Sequence, residues 1–477
     1  MSGAGLDELQ IAHPTVRERL SSGRIEQAGG VATRQLAEAL CDVAVVELGM
    51  GKLESAVRKF QDALNACPSC RAAFHNLSAS LLRAGALRDK NLFSLQQFIR
   101  RFWNELPWIQ DYRRLLYMPH FVTVNFVGGK CNLKCRMCES ARHPNPAGRL
   151  LHISAEDFRQ TLSIAPTAGG VTLSAGDSEP LLHPQLEQIL DLARQHRVVL
   201  DMFTNGLPLT PDRCRRIVES QAVQMMNFSL DAATAETYQR IRGADFARVI
   251  ANIEMLLALR RERGLDRPWI SISLVAMADN IQELPDLVTL AARLGARRVY
   301  VEALDGWQDD PGGNHPATGH PQCAEFVRQA QARATATGVF LQLPAFLRSG
   351  TQPTSAAGTQ PAQALLPHCS WLAGVQVQMD GRLDPCCLVT NAADMGTIHD
   401  GPLLQNEKYA RVKDLLLTGK VFKACARHQN CEYVQQQLAA GRKLRTITSD
   451  ELGELYRDPE AQPAAGTGRP PPAAESN

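Results

Sequence analysis

Residues 121–140 read FVTVNFVGGKCNLKCRMCES. The first seven are mostly apolar, with β-branched valines and a threonine, the pattern of a buried strand. Directly after it, Cys131, Cys135 and Cys138 fall within eight residues, spaced C-x3-C-x2-C. Three thiolates can wrap one face of a metal centre. They do not complete a tetrahedral zinc site, which needs a fourth ligand such as His143 or His152. In a four-iron cluster they bind three irons and leave the fourth open. Both readings stand on the three cysteines alone.

Downstream the texture repeats. Apolar, β-branched runs at 170–174, 198–204, 225–230, 269–277 and 298–304 alternate with helical segments at 183–196, 233–240, 245–262 and 283–294. Six buried strands separated by helices imply a parallel sheet with helical crossovers. The fold class is therefore α/β. Right-handed crossovers curl such a sheet into a partial (β/α)6 TIM-type barrel over 118–305, with functional loops at the strand C-terminal ends.

The three-cysteine loop at the end of a first strand resembles the signature of the radical S-adenosylmethionine (SAM) superfamily. In that family a reduced [4Fe–4S] cluster cleaves SAM to a 5′-deoxyadenosyl radical, which removes a hydrogen atom from a substrate. The resemblance continues in order along the barrel. LSAGDSEPLLHP (173–184) is similar to the family's Gly-Gly-Glu-Pro turn, with Asp177 and Ser178 where the glycines would fall. MFTNG (202–206) matches a recurring strand ending, and FSLDAATAETYQRIRGADF (228–246) matches a further segment. The resemblance implies a cluster on Cys131, Cys135 and Cys138. It implies SAM contacts from Glu179, Asn205, Ser229, Asp231, Arg242 and Met137. Glu179 would take the methionine amino group, Ser229 and Asp231 the ribose, and Met137 the adenine. Arg242, or alternatively Arg240, would take the carboxylate.

A second group of cysteines follows: Cys369, Cys386, Cys387, Cys425 and Cys431. The spacing C-x11-G-x4-C from Cys369 to Cys386 places Gly381 at a hairpin turn. This region resembles the auxiliary-cluster domains called SPASM or twitch. The resemblance implies one auxiliary [4Fe–4S] cluster on Cys369, Cys386, Cys425 and Cys431, with Cys387 or His428 as substitutes. A structural zinc site is the plain alternative.

Upstream, residues 35–68 place Leu40, Val43, Ala56, Phe60 and Ala63 at helical spacing around Gly51. Phe74, Leu77 and Gly85 repeat Leu40, Val43 and Gly51 at a displacement of 34 residues, whereas Lys90 and Ser94 depart from Ala56 and Phe60. This resembles a tetratricopeptide pair. Cys67 and Cys70 form a CPSC unit without the preceding strand that a redox pair wants. The divisions expected are an N-terminal segment 1–30, helical repeats 31–105, a radical SAM barrel 118–305, a connecting region 306–367, an auxiliary cluster domain 368–440 and a disordered tail 459–477. The connecting region should hold a helix at 322–336 and a strand at 338–343.

The chain has 477 residues and a net charge of +2, which supports no nucleic-acid partner. It begins without a secretory signal and holds no apolar run long enough to span a membrane, so a cytoplasmic enzyme is expected. Thirteen cysteines in such a compartment suit metal better than disulfides. The expected partners are an electron donor such as flavodoxin or ferredoxin, and a peptide or protein substrate docking on the helical repeats. The expected chemistry is hydrogen abstraction from a peptide or protein side chain. Alternatives are a small-molecule dehydrogenase or epimerase acting on a sugar or aminocyclitol, and a non-catalytic iron–sulfur assembly or electron-transfer protein.

Overall fold

The computed structural model describes residues 31–83, 89–102, 104–138, 150–174, 178–304, 315–348, 369–427 and 431–457. The segment 1–30, the tail 459–477, and Gly85, His143, Asp177 and His428 lie outside the described residues. The chain divides into two compact units, Met1–His120 and Phe121–Asn477.

In the first unit, helix Val31–Gly49 packs on Leu53–Ala66, which packs on Arg71–Arg83. Helix Asp89–Arg101 packs on a 3-10 stretch, Pro107–Tyr117. Gly51 turns the chain between the first two helices. The second helix buries Ala56, Phe60, Ala63 and Leu64, as its spacing predicts. The first departs from expectation. Ala37, Cys41, Ala44 and Val45 are its buried face, while Leu40 and Val43 are half-buried. Helical phase explains this: positions one residue apart point about 100° apart, and a small-residue stripe lets the neighbouring helix approach. Phe74 anchors an aromatic cluster with Phe98, Trp108 and Tyr112. Ser94 is exposed, and Leu92, Leu95 and Ile99 carry the inward face instead. Cys67 and Cys70 lie in the turn between two helices, where Cys70 N–H donates to Cys67 O at 3.0 Å.

The second unit is built on one nine-stranded sheet, ordered β11-β10-β1-β4-β5-β6-β7-β8-β9. Its central strands are β1 (Phe121–Asn125), β4 (Gly170–Ser174), β5 (Val199–Thr204), β6 (Val223–Ser229), β7 (Trp269–Ala276) and β8 (Arg298–Ala303). All six pair in parallel in chain order. Helices Leu186–His196, Pro211–Ser220, Ala235–Arg242, Phe246–Glu262 and Leu284–Leu294 connect them. A small antiparallel pair, β2 (Val127–Gly128) and β3 (Leu151–His152), brackets the cysteine loop. This is the partial barrel the alternating runs predicted. Burial alternates along the strands: in β8, Val299, Val301 and Ala303 are buried toward the helices, while Arg298, Tyr300 and Glu302 face the lumen.

The C-terminal region is less separate than its composition suggests. Strand β9 (Phe340–Gln342) extends the sheet beyond β8. At the opposite edge, β10 (Gly374–Val377) pairs in parallel with β1, and β11 (Leu383–Asp384) folds back on β10. Gly381 makes that turn with φ +81°, where a side chain would meet Ile398. The region also runs past residue 440, since Tyr456 bridges Ala393 and Thr446 bridges Val421. An edge strand of the barrel has unpaired backbone groups, and the auxiliary hairpin covers them.

Candidate active site at the strand C-terminal ends

The cysteine loop leaves β2 and is held against the barrel mouth at several points. Arg136 N–H donates to Ile241 O at 3.0 Å, and its guanidinium pairs with Asp279 at 2.6 Å. Cys135 and Met137 are buried with Ile241, Met277 and Leu304, and Leu133, Cys138 and Val275 pack against them. Met137 thus packs into the floor of the loop. Cys138 N–H donates to Cys135 O at 3.0 Å, and Leu133 N–H to Cys131 Sγ at 3.4 Å. Cys138 stands close enough to Cys131 and Cys135 to disfavour their thiolates, and burial raises the pKa of both. Burial pushes Cys131 up to about 11, with Glu179, Cys135 and Cys138 adding to it.

Glu179 is buried beside Cys131. Its Oε1 accepts from Thr204 Oγ1 at 2.5 Å and Leu181 N–H at 3.1 Å, and its Oε2 accepts from Asn205 N–H at 2.7 Å. Burial raises its pKa, and these hydrogen bonds oppose the rise. Asn205 Nδ2 donates to Asn132 at 2.9 Å and lies 3.9 Å from Cys131 Sγ. Gly206 follows with φ +74°, and a Cβ there would sit 2.8 Å from the Phe228 ring. The MFTNG ending thus needs its glycine to bring Asn205 to the cysteines.

Asp231 and Arg242 form a buried ion pair, with Arg242 Nε donating to Asp231 Oδ2 at 2.7 Å. Asp231 Oδ1 accepts from Val275 N–H at 2.7 Å. Arg242 Nη1 reaches Cys135 Sγ at 3.6 Å. Burial works against the Arg242 charge, but Asp231 and Cys135 outweigh it and hold the pKa above its ordinary value. Asp231 sits at φ +59°, a conformation that costs a non-glycine residue free energy and recurs at functional sites. Asp231 thereby fixes the position of Arg242. Arg240 instead reaches Asp279 O at 2.9 Å on the outside. Ser229 Oγ accepts from Ser273 at 3.4 Å at the end of β6.

Reading the strands as alternating runs missed the lumen. Arg298, Tyr300 and Glu302 face it from β8, and Asp201 and Phe203 from β5. Tyr300 packs edge-on against Phe203, with centroids 6.4 Å apart, and stands close enough to Glu302 to influence its carboxyl. Glu302 pairs in register with Val275, whose N–H holds Asp231. Burial raises the pKa of Glu302, and pushes Asp201 up to about 6 against the pull of Arg298. A polar side chain facing inward from an otherwise apolar strand is the signal that could have found them.

In the C-terminal region, Cys369 feels the charge of Cys431, Cys386 that of Cys369 and Cys425, and Cys425 that of Cys431 and Cys369. The four thiols that the resemblance implies as ligands thus lie within electrostatic reach of one another. Burial pushes Cys425 up to about 12 and Cys369 up to about 11. Cys387 also acts on Cys386, and itself feels Glu302 as well as Cys431. Among the described residues no three His, Cys, Asp or Glu side chains close into a cage for a single ion. The donor set nevertheless suits iron–sulfur ligation: three thiols at the barrel mouth, four in the C-terminal region.

Fold and site together define a radical-SAM-type partial barrel followed by a SPASM-like C-terminal region. Residues 125–291 match the family model described as the Radical SAM superfamily. The chain is 30% identical over 167 residues to the mycofactocin maturase MftC of Mycobacterium ulcerans (strain Agy99), covering 35% of this chain and 42% of that protein. It is also 30% identical over 186 residues to the AdoMet-dependent heme synthase of Methanosarcina barkeri (strain Fusaro / DSM 804), covering 38% and 50%. The chain thus spans half the length of these curated relatives or less. Among solved structures it resembles Streptococcus suis SuiB bound to precursor peptide SuiA, with TM-score 0.51, 14% identity, and 86% and 89% of the two chains covered. No helix among the described residues is long and apolar enough to cross a membrane.

Proposed function

We propose that this protein is a radical SAM enzyme that modifies a peptide or protein side chain, with a second, auxiliary [4Fe–4S] cluster beside the barrel. One observation carries the first part. The thiols of Cys131 and Cys135, with Cys138 beside them, meet Glu179, Asn205 and Arg242 at the strand C-terminal ends, although these residues come from four separate segments. When bound, the cluster and SAM supply reductive cleavage to a 5′-deoxyadenosyl radical.

The chain's own residues do the rest. Cys131, Cys135 and Cys138 hold the cluster. Glu179, oriented by Thr204 and Asn205, would take the methionine amino group with its buried carboxylate. Arg242, fixed by Asp231 and placed against Cys135, would take the methionine carboxylate. Tyr300, Glu302 and Phe203 line the lumen that receives the substrate and keep water out. Cys369, Cys386, Cys425 and Cys431 hold the auxiliary cluster, which needs more room than a single ion.

Peptide modification is supported by the matches to a mycofactocin maturase and, in fold, to a protein solved with its precursor peptide. The helical unit, read as tetratricopeptide-like, offers a docking surface. A small-molecule substrate is the second reading, favoured by the equal match to a heme synthase. The anaerobically reconstituted protein, given dithionite and SAM, is expected to release 5′-deoxyadenosine. Release that persists after Cys135→Ala sinks the cluster assignment. Mass spectrometry of a short peptide encoded beside the gene, incubated with the enzyme, separates the two substrate readings.

A further inference from the structure

Helix Glu407–Leu417 packs on the turns Ser370–Ala373 and Leu403–Gln405 and buries Tyr409, Ala410, Val412, Leu416 and Leu417. Its other inward residue is Lys413, which is 0% exposed. The ammonium donates to Trp371 O at 2.6 Å and Gly374 O at 2.5 Å, and lies 5.1 Å from the centre of the Tyr409 ring. Those two carbonyls belong to the turn that Cys369 begins, in which Leu372 N–H returns to Cys369 O at 3.0 Å. Among the described residues, no carboxylate forms an ion pair with Lys413. Burial lowers its pKa to about 7, and the thiols of Cys369 and Cys386, the groups of potentially opposite charge that act on it, pull the other way.

A buried ammonium with two neutral acceptors is poorly compensated, and a leucine or methionine would pack the same position at lower cost. The charge makes physical sense when something anionic stands beside it. A four-iron cluster on four thiolates carries net negative charge and becomes more negative on reduction. We propose that Lys413 is the counter-cation of the auxiliary cluster: it holds its charge beside the Cys369 and Cys386 thiolates and raises the cluster's reduction potential. The inference rests on the auxiliary-cluster reading above. It places Lys413 as a positioning charge rather than a ligand.

The test uses the full chain, with both clusters and without them. Variants are Lys413→Met, which removes the charge and the hydrogen bonds, Lys413→Gln, which keeps a donor without charge, and Lys413→Arg. Potentials are read by EPR-monitored redox titration, and SAM is added to mark the signal of the cluster at Cys131, Cys135 and Cys138. In Lys413→Met and Lys413→Gln the auxiliary cluster should be about tenfold harder to reduce, a shift of about 59 mV for one electron. Lys413→Arg should restore the wild-type value.

Thermal melts supply the second readout. Cluster loading should raise the melting temperature less in the uncharged variants than in wild type, and the cluster-free uncharged variants should melt no lower than cluster-free wild type. A purely structural lysine would instead lower both forms alike. Intact auxiliary cluster with unchanged potential and unchanged loading gain overturns the inference alone. Wild-type protein holding about four irons rather than about eight overturns the auxiliary-cluster reading with it.

Discussion

Arg242 and Asp231 share a buried ion pair that lies directly beneath Cys135, with Arg242 Nη1 3.6 Å from the Cys135 sulfur. The pair ties helix Ala235–Arg242 to the end of β6 and, through Val275 N–H, to β7. Breaking it leaves one charge buried and alone. Asp231→Ala is expected to destabilise the protein by about 3–5 kcal/mol in urea unfolding. The double variant Asp231→Ala with Arg242→Met should lose much less than the sum of the two single variants. Additive losses in the double variant would show that the two side chains act independently.

Glu302 should matter to the substrate and not to the first step. It lies on the lumen face of β8, level with Val275 and beside Tyr300. Glu302→Gln keeps the shape and removes the carboxylate. Release of 5′-deoxyadenosine without substrate should stay within about twofold of wild type. Product formed per deoxyadenosine should fall by about 10²-fold, in the range of lost acid–base or positioning groups. Equal losses in both measurements would move Glu302 into the cofactor site.

His183 gives the barrel a pH dependence. Its ring stacks on Phe126 at 4.1 Å, one ring nitrogen accepts from Gln185 N–H at 3.0 Å, and the other meets Ile153 O at 2.9 Å. That pairing requires the neutral ring, with the proton on Nε2. Burial lowers its pKa to about 4, and the neighbouring His152 adds to this. The unfolded chain takes up this proton near pH 6.5, the folded chain only near pH 4, so the unfolded state binds more protons between them. Stability is therefore full above about pH 6.5 and falls by about 3 kcal/mol as the pH drops to about 4. Urea titrations across this window should show the slope, and His183→Gln should flatten it.

Removing the helical unit tests its proposed docking role. The boundary between units falls at His120 and Phe121. A chain starting at residue 121 should retain SAM cleavage without substrate and lose at least about tenfold in kcat/KM for a peptide substrate, chiefly through KM. Unchanged peptide kinetics would show that the docking surface lies elsewhere.

Much of this protein was legible before its structure. The strand-then-thiols pattern at 121–138, repeated β-branched runs and C-x11-G-x4-C spacing are local features, and backbone periodicity and ligand geometry act locally. The six central strands follow from them in order. What stayed hidden depends on which side chains meet across distant segments. Helical phase put Ala37 and Cys41, rather than Leu40, in the first unit's core. Sheet pairing joined the auxiliary hairpin to β1, since an edge strand leaves hydrogen bonds to be satisfied by whatever segment can reach it. Tertiary packing alone set Asp231 against Arg242, turned Glu302 into the lumen and buried Lys413 beside Cys369. Charge compensation in an interior is a property of the assembled neighbourhood, and no spacing along the chain encodes it.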